Sequence, residues 1–597
     1  MTILQALARY YDRLPGVATQ GWASVKFGWC IVLTPDGTAV DLEDLRDLSG
    51  KKPKVKEYSV PCSDAVAERT SGIVSSLFWD KTAYVLGRTA GDGKRTAQEH
   101  AAFVKLHRDK LAGTQDEGLL ALLRFVEAWQ PEMLESLPRY VPDMLDANIL
   151  FRLEGERGYL HERSAARNLL ESDDAAESEA PAFCLITGEQ GPIVRLHPKI
   201  KGVEGAQTAG ARLVSFNLGA FTSLGKEQGA NAPTSEAAAF RYGTALNKLL
   251  LRDSRNRLPR PIGDTTVVFW ADASDVKAAE AVDALAGDWL FGDGDDVTDA
   301  QEAAKVRAQM ENIAAGRPIA ELPSDIDPDT RFHILGLSPN AARLSVRFWL
   351  SQSFGDFARA LARHYQDMRV EPLPHGWGAA PAVGRMLVNS TAAQRDFKNI
   401  PYALAGEVLR AVLSGGRYPQ TLLATALMRL RAGDDAGSGW HAAVIRGVLE
   451  RDARFYGRDG APMALDEKST SEAYRLGRLF AALEHLQEQA IEGLKASIRS
   501  RFLASASAAP ASVFPTLLRL SQHHITKLSS LVSSGSATFH DKLIQEILDG
   551  IPGSFPRSLK MADQGRFYIG YYHQRAERFR KRDADDKSPA KEEKNGE

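Results

Sequence analysis

The chain reads as an α+β protein: a mixed N-terminal α/β region with antiparallel hairpins, followed by a C-terminal all-helical bundle. Three observations predict this. Short β-rich runs alternate with turn residues and helical patches through the first 350 positions, and from about Ser351 apolar residues recur at helical spacing almost to the end. With 597 residues, 44% hydrophobic and 25% charged, the chain can also bury more than one core.

The opening MTILQALARYYDRLPG sets Leu4, Leu7, Tyr11 and Leu14 near helical spacing, interrupted by Arg9, Asp12 and Arg13. It reads as a packed helix, unlike a secretory segment. WASVKFGWCIVLTPDGTAVDL carries β-rich runs on both sides of Pro35-Asp36-Gly37, residue types that suit a hairpin turn. Helical patterning is expected at 71–87 and 96–129, strands at NILFRLE from Asn148 and AFCLITGE from Ala182, and an exposed loop at ESDDAAESEAP between those strands. TTVVFWADA from Thr265 and FHILGLSPNAARLSVRFWL from Phe332 are strands, the latter turned at Ser338-Pro339-Asn340, with a helical stretch near 299–315 between them.

In the last part Leu476, Leu479, Phe480, Leu483, Leu486, Ala490 and Leu494 mark one helix, and Phe539, Leu543, Ile544, Ile547 and Leu548 another. ASASAAPAS and SSGSA read as connectors of an antiparallel bundle, and 583–597 as a disordered tail without large apolar residues. The expected divisions are 1–350, 351–462, 463–582 and 583–597.

Composition narrows the function. Lys plus Arg at 74 nearly balances Asp plus Glu at 76, so any nucleic-acid surface must be local. Cys30, Cys62 and Cys184 are too few and scattered for a disulfide framework or a zinc cage, which suggests a cytoplasmic, reducing setting. No apolar run approaches the about 20 residues of a membrane span.

Catalytic patterns fail their tests. A phosphate-binding loop needs four residues between its glycines and Ser or Thr after the lysine. Gly219 to Gly225 and Gly87 to Gly93 each enclose five, and Lys226 and Lys94 are followed by Glu227 and Arg95. His540-Asp541 and His523-His524 lack companion ligands, Ser215 and Ser338 lack a nucleophile elbow, and Cys184 lacks a nucleophile signature. The expectation is a non-enzyme with no cofactor and no metal.

Three stretches suit nucleic acid. KKPKVKEY offers Lys51, Lys52, Lys54 and Lys56 beside Pro53, either as phosphate contacts or as a solvated loop. GRFYIGYYHQRAERFRKR interleaves Arg566, Arg575, Arg578, Arg580, Lys581 and Arg582 with Phe567, Tyr571 and Tyr572. Its residues suit a strand-binding helix with stacking rings, or equally a helix whose rings face the bundle. SLGKEQGANAPTSE sets Lys226, Gln228 and Asn231 among Gly225, Gly229 and Pro233 just before a helix start at Thr234-Ser235-Glu236. Such donors can reach minor-groove acceptors, and a structural turn with an N-cap explains the residues as well.

FCLITGEQGPIVRLHPKIKGVEGAQTAGARLVSFNLGAFTSLGKEQGANAPTSEAAAFRYGTALNKLL, with TVVFWA, ILGLSPNAARLSVRFW, AYRLGRLFAALEHLQ and GRFYIGYYHQR in the same order, resembles the large subunit of the type I-C CRISPR surveillance complex, Cascade. The resemblance spans most of the chain. It implies a non-catalytic subunit that recognises the protospacer-adjacent motif in double-stranded target DNA and helps open the duplex, while a separate helicase-nuclease cuts. It implies as partners the backbone subunits, the crRNA-processing subunit and the crRNA 5′ end region. It also implies a small subunit made from an internal start of the same gene, with Met463 or Val448 as candidate starts, and no membrane. Lys226, Gln228, Gly229 and Asn231 are then the expected motif contacts, with Gly229 permitting close approach. Lys51, Lys52, Lys54, Lys56, Arg566, Arg575 and Arg578 are the expected phosphate or strand-path contacts. The rival reading is a metal-dependent nuclease or an NTP-driven DNA remodeller.

Overall fold

The computed structural model describes the chain except residues 16–19, 50–52, 64–65, 67–68, 70–71, 177–181, 292–311, 314–325, 378–382, 494–495, 532 and 586–597. It divides into two compact units, one comprising Tyr11–Pro198 and Ser215–Ala245, the other Met1–Tyr10, Lys199–Val214 and Leu246–Glu597.

The first unit contains β1 (Trp22–Phe27), β2 (Trp29–Leu33), β3 (Ala39–Asp44), β4 (Lys56–Pro61), β5 (Asp80–Lys81), β6 (Asn148–Leu153), β7 (Ala182–Phe183) and β8 (Gln190–Gly191). A four-stranded sheet has the order β3-β2-β6-β5, while β1 pairs with β4 and β7 with β8. β2 lies between an antiparallel and a parallel neighbour and is buried throughout, which is why WCIVL is apolar without alternation. The expected hairpin is present. Gly37 turns it at φ 89°, where an added Cβ would strike Arg124 and the Phe125 main chain of the helix Glu117–Ala128. That helix begins where the Asp116 carboxylate accepts from the Leu119 N–H at 3.0 Å. With Thr96–Leu111 it covers a core of Ile31, Phe103, Leu122, Phe125, Ile149 and Phe151.

Three expectations here need correction. The helix expected at 71–87 is confined to Thr82–Val85, because Asp80 organises the preceding chain: its carboxylate accepts from the Ser76 N–H at 2.9 Å and from the Arg69 guanidinium. The acidic loop is instead helix as far as Ala176, since alanine and glutamate favour helix whatever their exposure, and the rest of it lies outside the described residues. AFCLITGE forms a strand only at Ala182–Phe183 and then turns at Gly188, φ 78°.

The second unit carries β9 (Lys199–Ile200), β10 (Ala211–Arg212), β11 (Thr266–Asp272), β12 (Arg331–Asn340) and β13 (Arg343–Ser353) in one sheet of order β11-β12-β13-β10-β9. The β12–β13 turn sits at Ala341-Ala342, with Ala341 at φ 53°, so Ser338-Pro339-Asn340 remain in the strand. The helix expected near 299–315 falls almost wholly outside the described residues. From Phe354 onward the chain is helical, and one continuous core joins Phe269, Phe332 and Trp289 to Phe480, Phe514 and Phe567. ASASAAPAS connects two helices as expected, but through Ala509 alone: Ile498–Ala508 and Pro510–Leu531 take up the rest of it. Among the described residues no helix is long and apolar enough to cross a membrane.

The terminal helix, Met561–Asp585, lies against the helix Glu472–Ala490 through two glycines. A Cβ on Gly477 would overlap the Phe567 carbonyl, and one on Gly570 the Tyr474 carbonyl. Main-chain atoms cannot rotate away, so overpacking should cost more than the about 1 kcal/mol that alanine gains over glycine in a helix. Gly570→Ala should therefore lower the thermal midpoint by several degrees. Gly535→Ala, where an added Cβ would meet only Ser533 Oγ at an ordinary 3.7 Å, should leave it unchanged or raise it. Differential scanning calorimetry checks both.

Candidate nucleic-acid interface

In the first unit the chain between Ser215 and Pro233 has no regular structure beyond the short 3-10 turns Gly219–Phe221 and Gln228–Asn231, and residues 217–227 are all exposed. So long an exposed segment needs internal ties to hold one shape. The Asn231 side chain provides three. Its Oδ1 accepts from the Ser223 N–H at 2.9 Å, and its Nδ2 donates to the Lys226 and Gln228 carbonyls at 3.1 Å each. Ser223 to Lys226 closes as a tight turn, the Lys226 N–H donating to the Ser223 carbonyl at 3.0 Å, with Leu224 at φ 54° and Gly225 at φ 68°.

The foot of the loop is anchored in the same unit. Gly229 is buried, its N–H donates to the Arg195 carbonyl at 2.9 Å, and a Cβ there would overlap the Val194 carbonyl oxygen. Its missing side chain thus admits the protein's own main chain, which accounts for a glycine here without any duplex. The Leu185 and Val194 N–H groups donate to the Pro233 and Thr234 carbonyls, both at 2.9 Å. The Ser235 and Ile186 N–H groups donate to Cys184 Sγ at 3.2 and 3.4 Å, giving that buried cysteine a bracing role. Ser235 Oγ accepts from the Ala238 N–H at 3.3 Å, capping the helix Glu236–Leu249 as the sequence suggests.

Phe216, Asn217, Leu218, Gly219, Thr222 and the 225–228 segment line an open depression of about 370 Å³. The Lys226 ammonium and the Gln228 amide have no partner among the described residues. Glu227 offsets the Lys226 charge, so the loop does not attract phosphate in general, and what it offers is local hydrogen bonding. Leu224 was not singled out by sequence, yet it is 91% exposed in a left-handed conformation. The only available signal was a leucine where a Leu-Gly turn would favour asparagine.

Residues 7–579 match the family model for CRISPR-associated protein (Cas_Csd1). The chain belongs to the Cas_Csd1 family. The resemblance to the type I-C large subunit is thereby borne out, and membership of a CRISPR complex follows. A search of curated proteins finds no match.

The other expected contacts of this Cas_Csd1 chain are placed differently. Lys54 and Lys56 alternate along an edge, Lys54 bridging Asp47 through its main chain and Lys56 opening β4 opposite Phe27, and both are exposed. Lys51 and Lys52 lie outside the described residues, as do the side chains of Arg580, Lys581 and Arg582. On the terminal helix, Arg566 donates to Asp563 at 2.9 Å and to the Asp459 carbonyl at 2.6 Å, and Arg578 to Glu488 at 2.6 Å. Arg575 donates to the Tyr571 hydroxyl at 2.7 Å and lies 3.4 Å from the buried Glu484 carboxylate, whose protonated form burial favours against these partners. Phe567, Tyr571 and Tyr572 are buried, so of the two readings of this helix the packing one describes its rings. His540 is also core, its ring 4.7 Å from that of His485.

Asn231→Ala should free the loop without unfolding its unit: hydrogen exchange at the Ser223 amide should rise at least tenfold while the thermal midpoint moves little. Leu224→Asn relieves a left-handed leucine, a strain of about 1 to 2 kcal/mol, and removes no buried surface. It should be neutral or stabilising in the same scan.

Proposed function

We propose that this chain is the non-catalytic large subunit of a type I-C RNA-guided surveillance complex, and that its 215–233 loop reads a protospacer-adjacent motif in duplex DNA. The observation that carries this reading is the Asn231-tied turn, which holds unpartnered Lys226 and Gln228 beside an exposed, left-handed Leu224. Lys226 and Gln228 act as donors to minor-groove acceptors, and Asn231 acts as a positioning residue because its amide is already engaged. Leu224 is the apolar tip that enters a base step and starts strand separation. Guide pairing supplies the long sequence information, so the protein needs only this short checkpoint. A separate helicase-nuclease performs cleavage, and the backbone subunits, the crRNA-processing subunit and the crRNA 5′ end complete the particle.

In the assembled complex, Lys226→Ala and Gln228→Ala should each reduce discrimination between motif-bearing and motif-altered duplex by about 1 to 3 kcal/mol, with assembly unchanged. Leu224→Asn should keep motif discrimination but slow opening, read by 2-aminopurine fluorescence, and a pre-melted target should restore the rate. Equal discrimination by wild type and Lys226→Ala defeats the assignment. Metal-dependent cleavage by the chain alone favours the rival enzyme.

An internal start at Met463 would keep the helices from Glu472 onward, which pack on one another. Val448 lies inside the helix Trp440–Tyr456 and is fully buried, so a product beginning there would start with a partial helix. Intact-mass spectrometry after native expression should find a short copurifying product beginning at Met463.

A further inference from the structure

Glu227 stands between Lys226 and Gln228, and its carboxylate serves no bond among the described residues. It is the N-cap residue of the 3-10 turn Gln228–Asn231, a place where an acid ordinarily accepts from the first N–H groups of the turn. Those donors are spent elsewhere. The Gly229 N–H donates to the Arg195 carbonyl at 2.9 Å, and the Ala230 N–H to the main-chain carbonyl of Glu227 itself at 3.0 Å. The carboxylate therefore makes no capping bond. Nor does it form an ion pair with the adjacent Lys226 or with another cation among the described residues, and it is exposed beside the same depression of about 370 Å³ that Lys226 and Gln228 line.

On a loop that meets DNA such a group has a cost, because the phosphates of both strands repel it. Only a donor on the bases can offset that repulsion. In the minor groove the base edges present acceptors, and the guanine N2 amino group is the one donor. We infer that Glu227 is a specificity-determining residue whose carboxylate accepts a hydrogen bond from a guanine N2 amino group, so that the motif includes a G·C pair. An A·T pair at the same place would set the carboxylate against adenine N3 or thymine O2, acceptor against acceptor, and be rejected for that reason. Three residues span at most about 10 Å and bases rise by about 3.4 Å, so this guanine lies within about three successive pairs of the edges met by Lys226 and Gln228. The inference rests on the motif-reading role proposed for the loop and adds to it which base edge the acid meets.

The test measures binding of the assembled complex to motif-bearing duplexes in which inosine replaces guanine one position at a time. Inosine keeps the pairing with cytosine and the major-groove edge and lacks only the N2 amino group. At one position the wild type should lose about tenfold in affinity, the worth of one base contact. Glu227→Gln, which offers a donor as well as an acceptor, should bind the guanine and inosine duplexes alike there. Lys226→Ala should bind motif duplex more weakly and keep the inosine penalty. A motif without a G·C pair, or a wild type indifferent to inosine at every position, overturns the inference. So does an inosine penalty that survives Glu227→Gln while Lys226→Ala still lowers motif discrimination, an outcome that leaves the role of the loop standing. If neither variant changes discrimination, the role of the loop falls and the inference with it.

Discussion

A single side-chain amide sets the shape of the candidate recognition loop. Asn231 meets one N–H and two carbonyls of the segment it closes, and so gives the exposed stretch from Ser223 to Gln228 a defined shape. Without it, ordering that segment would cost about 1 to 2 kcal/mol per residue with no buried apolar surface to offset the loss. Gly229 and the Cys184 turn hold the foot of the same loop, and residues 217–227 stay exposed. Pre-ordering of this kind is what short-motif readout requires, because a loop that ordered only on binding would spend its few hydrogen bonds on its own entropy.

Charge is distributed by a similar economy. Most arginines in the helical unit are used internally: Asp367 accepts from Arg451 at 2.9 Å and from Arg454 at 2.6 Å, and Glu484 gathers Arg499, Arg575 and the Tyr571 hydroxyl. Such pairs have little attraction left for phosphate. Among the described residues of the terminal helix, Arg566, Arg575 and Arg578 are therefore engaged within the protein. With a formal net charge of -2, attraction to nucleic acid must come from local patches.

The parts of this structure legible in the sequence are those whose causes are local. The Pro35-Asp36-Gly37 turn, the apolar strands β2 and β11 and the heptad-like spacing of Leu476 to Ala490 carry their own signals. ASASAAPAS misleads about the length of the connector because small residues that suit a connector suit a close-packed helix equally well. At the site, the donors and the helix cap were legible. The role of Gly229 was not, because Val194 and Arg195 are remote in sequence, and neither was Asn231's use as a tie, since an amide that could bond a base can bond the backbone. Leu224 had no partner pattern to betray it, and its meaning rests on exposure and φ together.

The central claim is that the loop around Leu224, Lys226 and Gln228 meets a nucleic-acid groove. Electron cryomicroscopy of the assembled particle on its target duplex tests it most directly. The account predicts density for residues 217–228 in the minor groove of the motif, with the Lys226 ammonium and Gln228 amide within hydrogen-bond distance of base edges and Leu224 against the first open step. A map placing that segment away from all nucleotides, or against another protein subunit, would contradict it.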